Sequence, residues 1–175
     1  MGAAAEFALQ LDSATNHTSL VLAFELTKSG KVLLFAADAQ VGSWLSWQDL
    51  EWKLDASTTV TGPDLLQRTV FYKVAHHGSH NATLRAKGLE LMRSDDLVAF
   101  IPVDHAMAVG KRWGQMPLPA LTDELKRRTQ GRLVRIDEDY QLQGSKALAY
   151  LAHSAIWRST QLAHLGWRRQ AHLAG

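Results

Sequence analysis

The run Val70-Phe71-Tyr72-Lys73-Val74-Ala75 delivers two adjacent imidazoles, His76 and His77, onto a turn made by Gly78 and Ser79, with His80 just behind. Upstream, the apolar run Val32-Leu33-Leu34-Phe35-Ala36-Ala37 delivers one carboxylate, Asp38. Imidazole is both the commonest neutral metal ligand and the usual general base. Imidazole and carboxylate at the ends of neighbouring buried strands are a way of holding catalytic metal ions. Each residue also has a plainer reading. Asp38 suits the N-cap of a following helix, and two turn histidines can simply have their ring nitrogens satisfied by the loop. His76 and His80 have the spacing of helical zinc proteases, but Gly78 interrupts them and His77 stands where the catalytic Glu is required. That protease reading fails. Asp104-His105 follows a further apolar run and is either a loop hydrogen bond or a second ligand pair. Neither a glycine-rich phosphate loop nor a serine nucleophile elbow is present in the sequence.

The elements that must position these groups follow from pattern. Residues 19–26 and 31–36 read as two strands joined by Thr27-Lys28-Ser29-Gly30, a hairpin. Their nearly continuous apolar character predicts burial on both faces. Trp44, Leu45, Trp47 and Leu50 suit one face of a short helix, and residues 64–67 a helical turn before the strand at 70–75. Residues 84–92 have roughly helical spacing, with Asn81 or Thr83 as candidate N-cap. Residues 97–103 read as a buried strand ending at Pro102. Pro117 to Thr129 is a well-signed helix: prolines at the entrance, acids early, Lys126-Arg127-Arg128 late and Gly131 just beyond. Residues 132–136 complete the series as a strand. Strands alternating with helices make the chain α/β.

Charge separates the chain into regions. Residues 1–140 hold 15 basic and 17 acidic side chains, whereas residues 141–175 hold four basic and none acidic. The expected organisation is a loose segment at 1–15, a folded region at 16–140 and a basic, partly helical tail at 141–175. Such a tail can touch nucleic acid, although a solvated extension is the plainer reading. With no cysteine, disulfides and thiolate metal sites are excluded. No apolar run approaches the roughly 20 residues that span a bilayer, and the N-terminus lacks the basic start of a secretory signal. A cytoplasmic protein without membrane contact is expected.

In combination these segments carry a resemblance. Asn16-His17-Thr18-Ser19, Leu33-Leu34-Phe35-Ala36-Ala37-Asp38, Lys73-Val74-Ala75-His76-His77-Gly78-Ser79, Trp113-Gly114-Gln115-Met116-Pro117 and Gly131–Asp137 occur in order. Together they resemble the C-terminal half of a metallo-β-lactamase-fold metallohydrolase, closest to the hydrolase domain of bacterial competence (DNA-uptake) proteins. The resemblance covers roughly residues 16–140. It implies the C-terminal half of an αββα sandwich, a mixed sheet flanked by helices. It also implies hydrolysis of a phosphodiester or other ester by a metal-activated water. Asp38 would bridge the metals, His76 would be a terminal ligand, and His77 a neighbour or substrate contact. One or two divalent ions are implied, Zn²⁺ with Mn²⁺ as an alternative. The family's His-x-His-x-Asp-His cluster is not in this sequence, and Gln115-Met116 stands where the family's loop carries His. The implied partner is therefore a missing N-terminal half-domain or longer parent chain, without which the site is inactive. Six tryptophans motivate the alternative, a non-catalytic binding module of the same fold, with self-association possible.

Overall fold

The hairpin is formed as the Thr27–Gly30 turn requires, with Gly30 at φ 66°. In the computed structural model, which describes Asn16 and residues 18–138, β1 (Leu22–Leu26) pairs antiparallel with β2 (Lys31–Phe35). Three further strands add in parallel: β5 (Thr69–Lys73), β6 (Val98–Ile101) and β7 (Leu133–Arg135), giving the order β1-β2-β5-β6-β7. Between β2 and β5 lie α1 (Val41–Ser46), a small hairpin of β3 (Glu51–Lys53) and β4 (Thr59–Thr61), and α2 (Gly62–Gln67). Between β6 and β7 lie α3 (His105–Gly110) and α4 (Pro119–Arg128). The fold is thus mixed α/β, with a five-stranded mixed sheet. The expected loose segment at 1–15 and tail at 141–175 fall outside the described residues. Among those described, no helix is long and apolar enough to cross a membrane.

Local chemistry explains the helix boundaries. Thr61 and Asp64 form a reciprocal capping box at the start of α2, and Pro63 sits in its first turn, where a missing N–H does no harm. α4 opens on Pro119 and closes on Lys126, Arg127 and Arg128, of which the last two pair with Glu124. Gly62 is needed for close approach. A Cβ there would stand 1.9 Å from the Trp47 carbonyl oxygen, so backbone must move. Gly62→Ala is expected to lower stability by about 1–3 kcal/mol, the usual range for overpacking, in urea titration. A change below the measurement error would mean that α2 is free to slide.

The sheet has two unlike faces. Leu34, Tyr72, Ala99 and Ile101 lie on the covered one and pack with Trp44, Leu66, Met92 and Leu125 into the core. On the other, Leu22, Phe24, Leu26 and Phe35 remain exposed, and Phe24, Phe35 and Phe71 form a cross-strand ladder with ring centroids 5.8 and 5.6 Å apart. The expectation that both hairpin strands are buried on two faces is thereby corrected. β2 is largely covered, but β1 is exposed along its whole length. Its apolar residues are real, and among the described residues no layer lies over them.

Two helix expectations are also corrected. α1 ends at Ser46 and passes into a 3₁₀ turn, so Trp44 is buried while Leu45 and Leu50 point outward. Residues 84–92 form only a 3₁₀ turn at Leu89–Leu91. Gly88 interrupts that segment, at φ −142° and ψ −94°, and lies so close to Trp44 and the Leu84 carbonyl that no side chain fits. The strands expected at 70–75, 97–103 and 132–136 and the helix at 117–129 are present, slightly shortened.

Candidate functional site at the sheet edge

Parallel pairing brings the chemistry together. Phe35 is the register partner of Lys73, so Asp38 and His76, each three residues beyond, leave the sheet at the same edge. The His76 N–H donates to the Ala37 carbonyl at 2.9 Å and ties the two strand ends. Ala37, His76 and His77 all take left-handed backbone conformations, at φ 44°, 39° and 56°. For residues other than glycine such conformations store about 1–3 kcal/mol each, and they collect at sites where the surroundings dictate geometry.

The carboxylate of Asp38 faces His77, not His76: His77 Nε2 lies 3.7 Å from Asp38 Oδ1, both side chains being partly exposed. Asp38 is not the cap of α1, whose N-cap is Gln40 without any side-chain bond. His76 is held differently. Its Nδ1 lies 3.0 Å from Asn81 Oδ1 and 2.9 Å from Ser79 Oγ, while Ser79 Oγ–H donates to the same Asn81 oxygen at 2.7 Å. The Asn81 oxygen only accepts, so Nδ1 carries the proton and Nε2 the lone pair. The Asn16 amide lies 3.4 Å from that Nε2. A neutral imidazole with its far nitrogen fixed by an acceptor is the form that metal ligation needs.

Two further side chains, Trp113 and Lys73, join the site. Trp113 stacks beside His77, ring centroids 6.3 Å apart and inclined by 31°. Its loop is fastened to the histidine turn by the Leu118 N–H, which donates to the Gly78 carbonyl at 2.7 Å, and contains the cis peptide Met116-Pro117. Gly78 has φ 73°, and a Cβ there would meet the Pro117 Cβ at 2.9 Å. Lys73 reaches back to the Ala37 carbonyl at 3.5 Å. Burial holds its ammonium below the usual lysine range, against the opposing charge of Asp38.

Asp104-His105 does not join them as a ligand pair. Asp104 caps α3 by accepting from the Met107 N–H, and the His105 ring bonds the Met116 carbonyl through Nδ1. His80 is exposed. Of the residues singled out from sequence, Asp38, His76 and His77 thus share one edge. Asn81, Trp113 and Lys73 are site neighbours to which sequence reasoning gave no role there; the motif that begins at Lys73 and the aromatic-Gly loop around Trp113 were the signals available.

The donors suit a divalent ion in kind, a carboxylate and imidazoles, but fall short in number. Tetrahedral zinc takes four ligands, and among the described residues no group of three or more His, Asp or Glu side chains converges as a metal-holding cluster. Compared with protein-family models, curated proteins and solved structures, the chain matches none of them.

Proposed function

We propose that this chain is the C-terminal part of a metal-dependent hydrolase of metallo-β-lactamase type, acting on a phosphodiester or another ester and inactive until further ligands are supplied. The observation that carries the reading is the joining of the Asp38 and His76-His77 strand ends at one sheet edge, with left-handed backbone at Ala37, His76 and His77. The His76 tautomer set by Asn81 and Ser79 supports ligation through Nε2, and the exposed His77 beside Asp38 suits a second ligand or a substrate contact. A bound divalent ion would supply a nucleophile near neutral pH by acidifying water. The apolar sheet face, uncovered among the described residues, fits a half-domain that needs a covering layer. That same face favours a second reading, a non-catalytic module that docks a partner through it. Membership of the competence-protein branch belongs to this proposal, as do Zn²⁺ or Mn²⁺ as the metal and nucleic acid as a contact of residues 141–175.

Elemental analysis of the purified chain after Zn²⁺ or Mn²⁺ loading tests the reading, alongside Asp38→Ala, His76→Ala and His77→Ala and a bis(p-nitrophenyl) phosphate assay. Weak metal retention that drops in Asp38→Ala and in at least one histidine variant, without turnover, is expected. Tight binding of two metals with turnover would refute the incompleteness. Metal retention indifferent to all three substitutions would remove the metal reading and leave the docking module.

A further inference from the structure

β1 is unusual for an edge strand. Natural edges are blunted by proline, charged side chains, bulges or a covering element. The strand Leu22-Ala23-Phe24-Glu25-Leu26 has no proline and no bulge, and its β2 pairing is regular along all five residues. Among the described residues its other edge has no strand neighbour. Its single charge, Glu25, is already neutralised by Arg68, whose Nη1 lies 2.9 Å from Glu25 Oε2.

We propose that β1 is the dyad of a homodimer, pairing antiparallel with β1 of a second copy so that Phe24 stands opposite Phe24. Charge and register select that occupant and that alignment. With Phe24 on the two-fold axis, Leu22 faces Leu26 of the second copy and Ala23 faces Glu25, so all five residues pair and no like charges meet. Moving the dyad to Glu25 would set two carboxylates opposite each other, which is destabilising. Moving it to Ala23 leaves fewer of the five residues paired. A one-residue slip would break the alternation of faces. In the selected register, Leu22, Phe24 and Leu26 of both copies lie on one side, and the bare faces of the two sheets merge. Leu20, 71% exposed, and Trp52 and Leu54, across an apolar groove of about 410 Å³ from β1, add area beyond the strand itself. Such flanking area is needed, since a stable interface buries about 800 Å² per partner. The inference is independent of any metal.

Because the chain contains no cysteine, cross-linking tests it cleanly. Sedimentation equilibrium of the full chain should give twice the 19.4 kDa chain mass. Under mild oxidation Phe24→Cys should pass mostly into a disulfide-linked dimer, since directly opposed residues of an antiparallel pair come within bridging distance. Leu22→Cys and Leu26→Cys should each stay largely uncrosslinked alone but bridge when mixed. Circular dichroism of the reduced variants establishes that each is folded. A chain that stays monomeric up to its solubility limit overturns the proposal. So does a dimer trapped by Phe71→Cys, on the sheet face, or by Val109→Cys, on α3, but not at position 24.

Discussion

Trp44→Ala is expected to remove about 3–5 kcal/mol of folding free energy, the range for deleting a large buried aromatic. Trp44 is completely buried and sits where three parts of the covered layer meet. Its ring lies 4.5 Å from that of Trp47 and meets Tyr72 edge-on at 5.9 Å, and Gly88 packs against it without room for a side chain. Its indole N–H donates to the Ala82 carbonyl at 2.9 Å. Truncation therefore opens a cavity that rigid neighbours cannot fill and leaves a buried carbonyl without its donor, itself a loss of about 1–3 kcal/mol. Domains of this size are stable by only about 5–15 kcal/mol, so the variant should populate unfolded chains under mild denaturant. Urea titration followed by far-UV circular dichroism measures this, with half-exposed Trp52→Ala as the comparison. Equal losses for the two tryptophans would mean that the core is not organised around Trp44.

Asn81→Ala should weaken whatever Zn²⁺ affinity the chain possesses by about 10–100-fold, the usual effect of removing a hydrogen-bond partner behind a ligating histidine. Its side-chain oxygen is the acceptor that fixes the His76 proton on Nδ1 and so leaves Nε2 to ligate. Without it, Ser79 Oγ–H loses its own acceptor and can turn its proton toward Nδ1, selecting the opposite tautomer. Asn81→Asp keeps an acceptor and should retain most of the affinity. Competition against a chromophoric chelator reads both variants. If alanine and aspartate behave alike, Asn81 only supports the loop, and the assignment of His76 as a ligand loses its main structural argument.

The parts of this fold that were legible in the sequence are those written in local chemistry. The hairpin turn at Thr27–Gly30, the capping signals of α4 and the apolar runs of β5 and β6 all depend on residues close in the chain. The convergence of Asp38 with the histidine turn was also readable, because both groups end apolar runs that lie side by side in the sheet. What escaped depends on distance. Nothing around Asn81 reveals that it orients His76, and the loop motif at Trp113 does not tell that its ring lies beside His77; those contacts exist only once the sheet is built. The same holds for the failed helix at 84–92, where the space left by Trp44, forty-odd residues earlier, decides the backbone at Gly88. The exposure of β1 was hidden for another reason. An apolar strand reads as buried whether or not a covering layer is at hand.

The pairing of successive parallel strands also imposes an order in time. During synthesis the β1–β2 hairpin can form as soon as it emerges, since its partners are neighbours in the chain. Every later strand must wait for a long connection before it can add to the growing edge. The histidine turn is fastened by the Leu118 N–H, so some forty residues leave the ribosome after His77 before its anchor arrives. Throughout that interval Phe24, Phe35 and Phe71 already offer an apolar ladder to other chains. The nascent protein thus presents this ladder while its polar edge is still incomplete, and chaperone demand should already arise in that window.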